Sequence, residues 1–285
     1  MFTKLSAALL CVFFLQGFSL GEVHARSTSD NVRFEVTPFL SSIDYEEPGV
    51  MKESGKMYGV EASLFRHKIS PRGFDLIRLD LLASHGSVDY SSDSFGSIPD
   101  IDNTMIETRA LLGKDLYSTP KTLISSFTGF GYRRLSDKSE GLTSSVGCVG
   151  YHRVSQYFYF PLGIGINSKL DKGWRFDGVV EYDFFARGIQ HSAMTEANNA
   201  YYTYSNDISN DQNNGYGIRL SASFQKKISE GAAIAFKPFV RYWSIGTSKA
   251  DELIRTDSSG HSEHLYVWEP KNSSTEYGIG VSIIF

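Results

Sequence analysis

Long apolar runs are absent from this sequence after its first residues. No later stretch approaches the roughly 18 consecutive apolar residues from which an ordinary transmembrane helix is built. Proline and methionine are scarce, with 8 and 5 residues among 285, and the formal net charge is only -4. Without a basic cluster, this charge gives no indication of a nucleic-acid partner. Aromatic residues are abundant instead, with 20 Phe and 16 Tyr.

The beginning of the chain has the features of a secretory signal peptide. Lys4 supplies a positive charge, residues 7–15 form a short apolar segment, and residues 23–25 fit a cleavage site of small residues. We expect cleavage after Ala25, which leaves residues 26–285 as one exported domain.

Cysteine is almost missing, since only Cys11 and Cys148 occur. Cys11 lies inside the apolar segment and follows Leu10, where a lipidation motif requires a small residue, so a lipoprotein is disfavoured. After cleavage Cys148 stands alone, which excludes an intramolecular disulfide. A lone loop thiol is favoured over an intermolecular crosslink, because free thiols are uncommon in oxidising compartments.

Apolar and polar residues alternate along ten segments of the exported chain, which predicts strands rather than helices. The clearest segment is the last one, where every second residue back from the terminus is apolar or aromatic: Tyr277, Ile279, Val281, Ile283 and Phe285. The residues between them are mostly small or polar. One face of this strand is therefore apolar with an aromatic residue at each end.

This final segment resembles the last strand of the outer-membrane β-barrel proteins of Gram-negative bacteria. Those strands end in Phe, carry apolar residues at alternate positions and often have Tyr ninth from the end. The resemblance implies an all-β fold, an antiparallel up-and-down transmembrane β-barrel, in the cell outer membrane. It also implies that the segment is recognised by the barrel assembly machinery, with periplasmic chaperones as further partners during biogenesis and outer-membrane lipid around the folded barrel.

The connections between the alternating segments are short and long in turn, as in such barrels. The short ones are residues 67–73, 114–121, 167–173 and 226–231. The long ones are residues 41–55, 87–103, 135–152, 188–215 and 246–274. We therefore expect about ten strands and five outer loops. Eight to twelve strands remain open, because the fifth segment is poorly patterned and the last loop has room for another hairpin.

Aromatic residues fall at two heights of the predicted barrel. Phe34, Trp174, Phe224, Phe236 and Phe285 are placed near the periplasmic interface. Tyr132, Phe184, Tyr216, Tyr242 and Tyr277 are placed near the outer one. Two aromatic girdles suit a bilayer, and a mean hydropathy of -0.22 suits a barrel in which alternate residues face lipid. A soluble lipocalin-type barrel would reverse this polarity.

The predicted inward face carries charges of both signs, which must be paired when buried. The selected lumen network consists of Arg175, Asp177, Glu181, Asp183, Arg187, Arg219 and Arg241. Ten strands enclose little more than their own side chains. A filled, structural lumen is the favoured interpretation, and a narrow channel for small solutes or ions is the alternative.

The omptin surface proteases are also ten-stranded barrels, and Asp100 with Asp102 in the second outer loop resembles their acidic pair. Their Asp-x-His pair is not matched, because His191 follows Ile189 and Gln190 rather than an aspartate two residues before it. The resemblance therefore reaches the strand number and one pair. A non-enzyme is predicted, with an omptin-like surface hydrolase as the weaker alternative.

The fifth outer loop offers two further patterns of reactive side chains. His261, Glu263 and His264 are potential metal ligands without a fixed third partner, and Ser258 or Ser259 with His261 is a common combination without defined geometry. Solvated loop side chains explain both patterns. We expect no catalytic residue, no metal and no cofactor.

The fourth and fifth outer loops carry exposed aromatic clusters that suit contact with a partner. The candidate contact residues are Tyr201, Tyr202, Tyr204, Tyr266 and Trp268. The interpretation that the pattern itself favours is that these runs extend barrel strands above the membrane, and contact with a partner is the functional alternative. The sequence predicts a structural or surface-interaction protein whose ligand it does not identify.

Overall fold

The structure is a computed structural model that describes residues 32–67 and 73–285. The predicted signal peptide, residues 1–25, lies outside the described residues. In the part of the chain that is described, no helix is both long and apolar enough to cross a membrane. Helical structure there consists of two short 3-10 turns, Asp171–Gly173 and Met194–Ala197.

Ten long strands form the body of the molecule. They are β1 (Val32–Glu47), β2 (Met51–His67), β3 (Leu76–Ser92), β4 (Gly96–Ser118), β5 (Thr122–Lys138), β6 (His152–Lys169), β7 (Trp174–Ser192), β10 (Gly215–Lys227), β11 (Ala233–Ile245) and β14 (Asn272–Ile284). Four shorter strands lie in the last two long connections: β8 (Tyr202–Tyr204), β9 (Ile208–Gln212), β12 (Asp251–Asp257) and β13 (Ser262–Val267).

The ten long strands close on themselves as an antiparallel barrel. The strands β1 to β7 follow one another, β7 pairs with β10, β10 with β11, and β11 with β14. The last strand returns to the first, with Val36 opposite Ile283 and Leu40 opposite Ile279. The predicted ten-stranded up-and-down barrel is confirmed. Closure pairs the backbone of every barrel strand, which is what a bilayer interior demands because no water is present there.

The outward face of the barrel is a broad apolar surface. Leu40 is 64% exposed, Val180 is 61% exposed and Ile164 is 55% exposed. On β1 the intervening Thr37 and Ser41 are buried inside the barrel. This polarity is the reverse of a lipocalin, whose apolar residues line the interior.

Aromatic side chains gather at the two ends of that apolar surface. Towards the end with short connections, the rings of Phe176 and Phe224 lie 5.3 Å apart. The backbone of Phe285 there forms hydrogen bonds of 3.1 and 2.8 Å with Phe34. Towards the other end, which we call the outer end, Tyr216 lies 5.8 Å from Tyr182 and 6.1 Å from Tyr242. Such amphipathic rings suit the headgroup region on each side of a bilayer.

The first two outer connections differ from the sequence prediction. Strands β1 and β2 continue to a turn at residues 48–50, and β3 and β4 continue to a turn at residues 93–95. The segments predicted as loops, residues 41–55 and 87–103, are therefore strand extensions. Their outward face is polar because it lies beyond the bilayer, so the apolar alternation by which strands were identified disappears there.

Candidate functional site

The lumen is filled by a central cluster of charged and aromatic side chains around Arg219 on β10. The Arg219 guanidinium donates hydrogen bonds to Asp183 Oδ2 at 2.7 Å and to Glu107 Oε2 at 2.8 Å. Its Nε also lies 3.3 Å from Glu181 Oε1. All four side chains are buried. One arginine therefore joins β4, β7 and β10 across the lumen.

Arg109 and Tyr159 complete the central cluster. Arg109 donates to Glu181 Oε2 at 2.7 Å, and the Tyr159 hydroxyl donates to Glu107 Oε1 at 2.6 Å. Arg219 Nη2 in turn lies 3.0 Å from the Tyr159 hydroxyl. The cluster is a continuous network of charge-assisted hydrogen bonds, which are about twice as strong as neutral ones.

A lower cluster lies nearer the short connections. Lys237 lies 2.9 Å from Glu61 and 3.4 Å from Glu35, and Arg241 lies 3.3 Å from Glu61 and 3.1 Å from Glu276. Each carboxylate here has a cation within ion-pair distance. The desolvation cost of these charges is thereby offset in the way that buried charges require.

Aromatic rings occupy the remaining space of the lumen. Phe39 and Phe239 meet edge to face at 5.5 Å, and Tyr159 meets Trp243 in the same way at 5.0 Å. Gly131 makes room for the Tyr159 ring, since a Cβ at this glycine would overlap Tyr159 Cζ. The glycines that alternate with apolar residues on the strands thus accommodate large inward side chains.

This filling predicts that the purified protein conducts poorly in planar lipid bilayers. Tyr159 and Asp183 are both 0% exposed, so ions meet a packed layer rather than a water-filled path. We expect no stable single-channel current. A matched test is the Tyr159→Ala, Trp243→Ala double variant, which removes two rings from that layer and should conduct more than the unmodified protein. Large steady currents from the unmodified protein would contradict the filled lumen.

Most residues selected from the sequence as the lumen network lie inside the barrel. Glu181, Asp183, Arg219 and Arg241 are buried there and paired. Asp177 is half-buried near the short connections, 3.6 Å from Arg33, and Arg175 is half-buried on the same face of β7.

The prediction that Arg187 points into the lumen is wrong. Its side chain is 55% exposed and lies 2.6 Å from Asp211. Phe158 pairs with Arg187 while the adjacent Tyr159 pairs with Phe185, so Ala186 is an extra residue in β7. This β-bulge shifts the alternation by one residue, and every side chain beyond it exchanges faces.

The selection from the sequence missed a cluster at the outer mouth of the barrel, which we call the mouth cluster. It consists of Tyr45, Glu47, Glu53, Asp137, Arg153 and Glu269. Arg153 Nη2 lies 2.8 Å from Glu47 Oε1 and 2.8 Å from Glu269 Oε1, and Nη1 lies 3.8 Å from Glu53 Oε1. Inward alternation beyond residue 41 would have indicated Ile43 and Tyr45, but only the folded chain brings Glu269 to them.

The mouth cluster is buried although it lies beyond the outer aromatic girdle. This burial raises the pKa values of two of its carboxyl groups. Burial raises the pKa of Glu269 to about 7, against the attraction of Arg153. Burial and the neighbouring Asp137 raise the pKa of Glu53 well above its ordinary value. The cluster therefore holds protons at a pH where exposed carboxyl groups have lost them.

The fourth and fifth outer connections form a separate small sheet, which we call the surface sheet. Its strand order is β13, β12, β8, so the fifth connection pairs directly with the fourth. Arg255 on β12 lies opposite Tyr204 and Glu263, forms an ion pair with Glu263 at 2.6 Å, and stacks 4.5 Å from the ring of Tyr202.

The candidate contact residues lie on or beside this sheet. Tyr201 is 73% exposed, Tyr266 is 69% exposed and Trp268 is 55% exposed, whereas Tyr204 is half-buried. Alternate residues of a strand share a face, so Tyr266 shares one with His264, which pairs with Glu252 at 2.7 Å. Tyr266 thus lies on a strand of the sheet, while Tyr201 and Trp268 lie one residue outside β8 and β13.

The residues that suggested an omptin-like hydrolase are not brought together. The backbone N–H of Asp100 donates to Asp89, and Asp102 is exposed on the outward side of β4. His191 contacts Ser209 of β9 at 3.1 Å.

The other reactive side chains of the fifth loop serve its own turn. Ser259 Oγ donates to Asp257 at 2.6 Å, and Asp257 also accepts the backbone N–H of His261. Across residues 32–67 and 73–285, no group of three or more His, Cys, Asp or Glu side chains is arranged to hold a metal ion.

Comparison with known proteins identifies the fold. No family model matches the sequence, and no curated protein does. The outer membrane protease OmpT from Escherichia coli matches with a TM-score of 0.61 at 12% identity, over 90% of this chain and 98% of that chain. The likeness shows a shared outer-membrane barrel fold and carries no activity with it.

Matches at lower TM-scores include other outer-membrane barrels. The translocator domain of the autotransporter NalP from Neisseria meningitidis has a TM-score of 0.40 at 13% identity, covering 96% of this chain and 95% of that one. The toluene transporter TodX from Pseudomonas putida has a TM-score of 0.33 at 10% identity, covering 90% of each chain.

Proposed function

We propose that this protein is a non-catalytic barrel of the bacterial outer membrane that binds a partner outside the cell through its surface sheet. The barrel provides a rigid support, and the lumen clusters hold that support together. The partner meets the exposed rings of Tyr201, Tyr266 and Trp268.

The observation that carries this proposal is the pairing of β12 with β8. Loops longer than about 12–15 residues are usually functional or disordered. Here two of them are ordered by each other through the register Arg255 opposite Tyr204 and Asp257 opposite Tyr202. A preordered surface loses less conformational entropy on binding, and exposed Tyr and Trp rings are the side chains that dominate binding surfaces.

An outer-membrane location is supported by the apolar outward face and the two aromatic girdles. Assembly there would require export through a cleaved signal peptide and recognition of the last strand by the barrel assembly machinery. The fold shared with OmpT agrees with this location, but it gives no information about whether this protein has an activity.

A channel and a surface hydrolase are both less well supported. The central cluster fills the lumen with side chains that need one another as partners, so a solute path would break ion pairs. Hydrolysis would require Asp102 and His191 to face the same water molecule. In the structure Asp102 is exposed on the outward side of β4, and His191 contacts Ser209 of β9 instead.

The proposal predicts that binding depends on the exposed rings of the surface sheet. The double variant Tyr266→Ser, Trp268→Ser should bind its partner at least tenfold more weakly, because even one hot-spot ring at an interface centre contributes about 2 kcal/mol or more. The measurement uses the detergent-solubilised protein on arrays of extracellular proteins and glycans, followed by titration of whatever binds.

Phe95→Ser is the matched control, because Phe95 is an exposed ring at the tip of a different outer hairpin. Its binding should equal that of the unmodified protein. A partner that binds both variants equally well would contradict the role of the surface sheet. Proteolytic activity that is lost when Asp100 and His191 are replaced would establish the hydrolase instead.

A further inference from the structure

The mouth cluster connects the fifth outer connection to the barrel wall through carboxyl groups that outnumber their cation. We propose that it is a proton-operated latch, which holds this connection against the barrel mouth while the carboxyl groups are protonated and loosens it as they ionise. The inference concerns the opening of the mouth and does not depend on the proposed function.

Geometry is the first support for the latch. Glu47 Oε1 and Glu269 Oε1 share the same Arg153 Nη2, each at 2.8 Å. They also share the Tyr45 hydroxyl, which lies 2.9 Å from Glu47 and 3.0 Å from Glu269. A hydroxyl has one proton and can donate it to only one of them. Two carboxylates this close are best accommodated when one of them is protonated.

The charge balance is the second support. Arg153 faces four buried carboxyl groups, Glu47, Glu53, Asp137 and Glu269, so full ionisation would leave an excess of negative charge. The other titratable or charged groups around the cluster are Tyr45 of β1, Tyr90 of β3, Arg133 of β5, which lies opposite Tyr157, Glu140 after β5, Tyr151 before β6, and His152 and Tyr157 of β6. None of the tyrosines supplies a positive charge, and the His152 ring is hydrogen-bonded to Ser136 at 2.7 Å.

A small cavity beside the cluster shows how little solvent is available to it. Its volume is about 10 Å³, and Glu53, Asp137, Arg153 and Gln190 are among its lining residues. That is room for at most one water molecule. Asp137 Oδ1 and Gln190 Nε2 face no hydrogen-bond partner among the described residues. Ionised carboxylates here have little water to stabilise them, and among the described residues Arg153 is the guanidinium within ion-pair distance of them.

Glu269 is the residue of the mouth cluster whose ionisation affects the fifth outer connection, because it belongs to that connection. Its backbone N–H donates to Ser248 Oγ at 2.8 Å, and its backbone carbonyl accepts from Ser248 N–H at 3.0 Å. Residues 248 and 269 thus close the base of the segment that contains β12 and β13. When Glu269 leaves Arg153 and Tyr45 for water, the base of that segment loses its side-chain attachment to the barrel wall, while Asn210 of β9 still donates to the backbone carbonyls of Lys249 and Val267.

The direction of the pH effect follows from the raised pKa of Glu269. Its pKa is about 7 in the closed mouth and close to its ordinary value of 4.5 when the loop is open. Below about 4.5 both states are protonated and the latch is strongest. Between about 4.5 and about 7 only the open state ionises, so opening becomes about tenfold more favourable per pH unit. Above about pH 7 the equilibrium constant for opening no longer rises, and it is then roughly two to three powers of ten larger than below pH 4.5.

Amide hydrogen exchange on the full chain in detergent micelles, at several pH values from 5 to 8, tests the latch. After correction for intrinsic exchange rates, the opening constant of residues 248–270 should rise with pH as described and level off above about 7. Glu269→Gln, which keeps the hydrogen-bonding groups without the charge, should abolish the slope. Glu263→Gln is the control, because Glu263 pairs with Arg255 outside the cluster, and it should keep the slope.

Gel mobility before and after boiling shows that each variant remains folded. A pH-independent opening constant in the unmodified protein, or an unchanged slope in Glu269→Gln, would overturn the latch. A slope that both variants lose would also overturn it, because the effect would then not belong to the mouth cluster.

Discussion

Arg219→Met should lower the free energy of unfolding of the barrel by about 3–5 kcal/mol. The substitution leaves an unbranched apolar side chain but removes the cation that Glu107, Glu181 and Asp183 share at the centre of the lumen. These carboxylates would then be buried with too few partners. Urea titration in detergent, followed by tryptophan fluorescence, measures the effect.

Arg187→Met is the matched control for that experiment. Arg187 pairs with Asp211 on the exposed side of the barrel, where an ion pair contributes about 0–1 kcal/mol. A second variant tests the cause, since Glu107→Gln in the Arg219→Met background removes one unpaired charge and should recover part of the lost stability. Equal unfolding midpoints for Arg219→Met and Arg187→Met would refute a central role for the cluster.

Removal of Phe285 should reduce the amount of protein in the outer membrane by at least tenfold and leave the exported chain in the periplasm. This residue ends the segment that resembles the assembly signal, and its side chain is exposed on the outward face. Its backbone also closes the barrel through the two hydrogen bonds with Phe34. Cell fractionation followed by the gel-mobility test measures the outcome.

Phe236→Ala is the control for the deletion. Phe236 is another exposed outward aromatic at the same end of the barrel, directly opposite Val281 of β14, but it is not part of the terminal segment. It should reach the membrane in nearly normal amounts, because one surface ring contributes little to the whole apolar band. Normal membrane levels of the truncated protein would argue against the terminal aromatic as a signal.

The barrel was largely predictable from the sequence because a bilayer imposes a strict period of two. On β10, for example, Ile218 and Leu220 face outward and Arg219 faces inward, as the pattern alone requires. Counting such segments predicted about ten strands, and closure into a barrel was implied by the resemblance of the last strand to those of outer-membrane barrels. The β12–β13 hairpin, for which the last loop had room, lies outside the barrel wall and leaves the count at ten.

What could not be predicted depends on interruptions of the period and on contacts between distant segments. Ala186 adds one residue to β7 with no signal in its neighbours, and Arg187 therefore faces the opposite side from its expected one. The mouth cluster joins Glu47, Arg153 and Glu269 from three widely separated parts of the chain. The pairing of β8 with β12 likewise joins two connections that seemed independent in sequence.

The long outer hairpins give the molecule a considerable stand-off distance from the membrane. On β2, Tyr58 is the last exposed ring of the outward face before the polar extension, and seven residues separate it from Met51 at the hairpin end. At about 3.3 Å per residue and a tilt of about 40°, this separation raises the hairpin end about 18 Å along the membrane normal. A bulky, rigid particle such as another cell's surface could therefore touch the tips of this barrel without approaching the lipid, whereas a protein lying flat on the bilayer would meet only its polar flank.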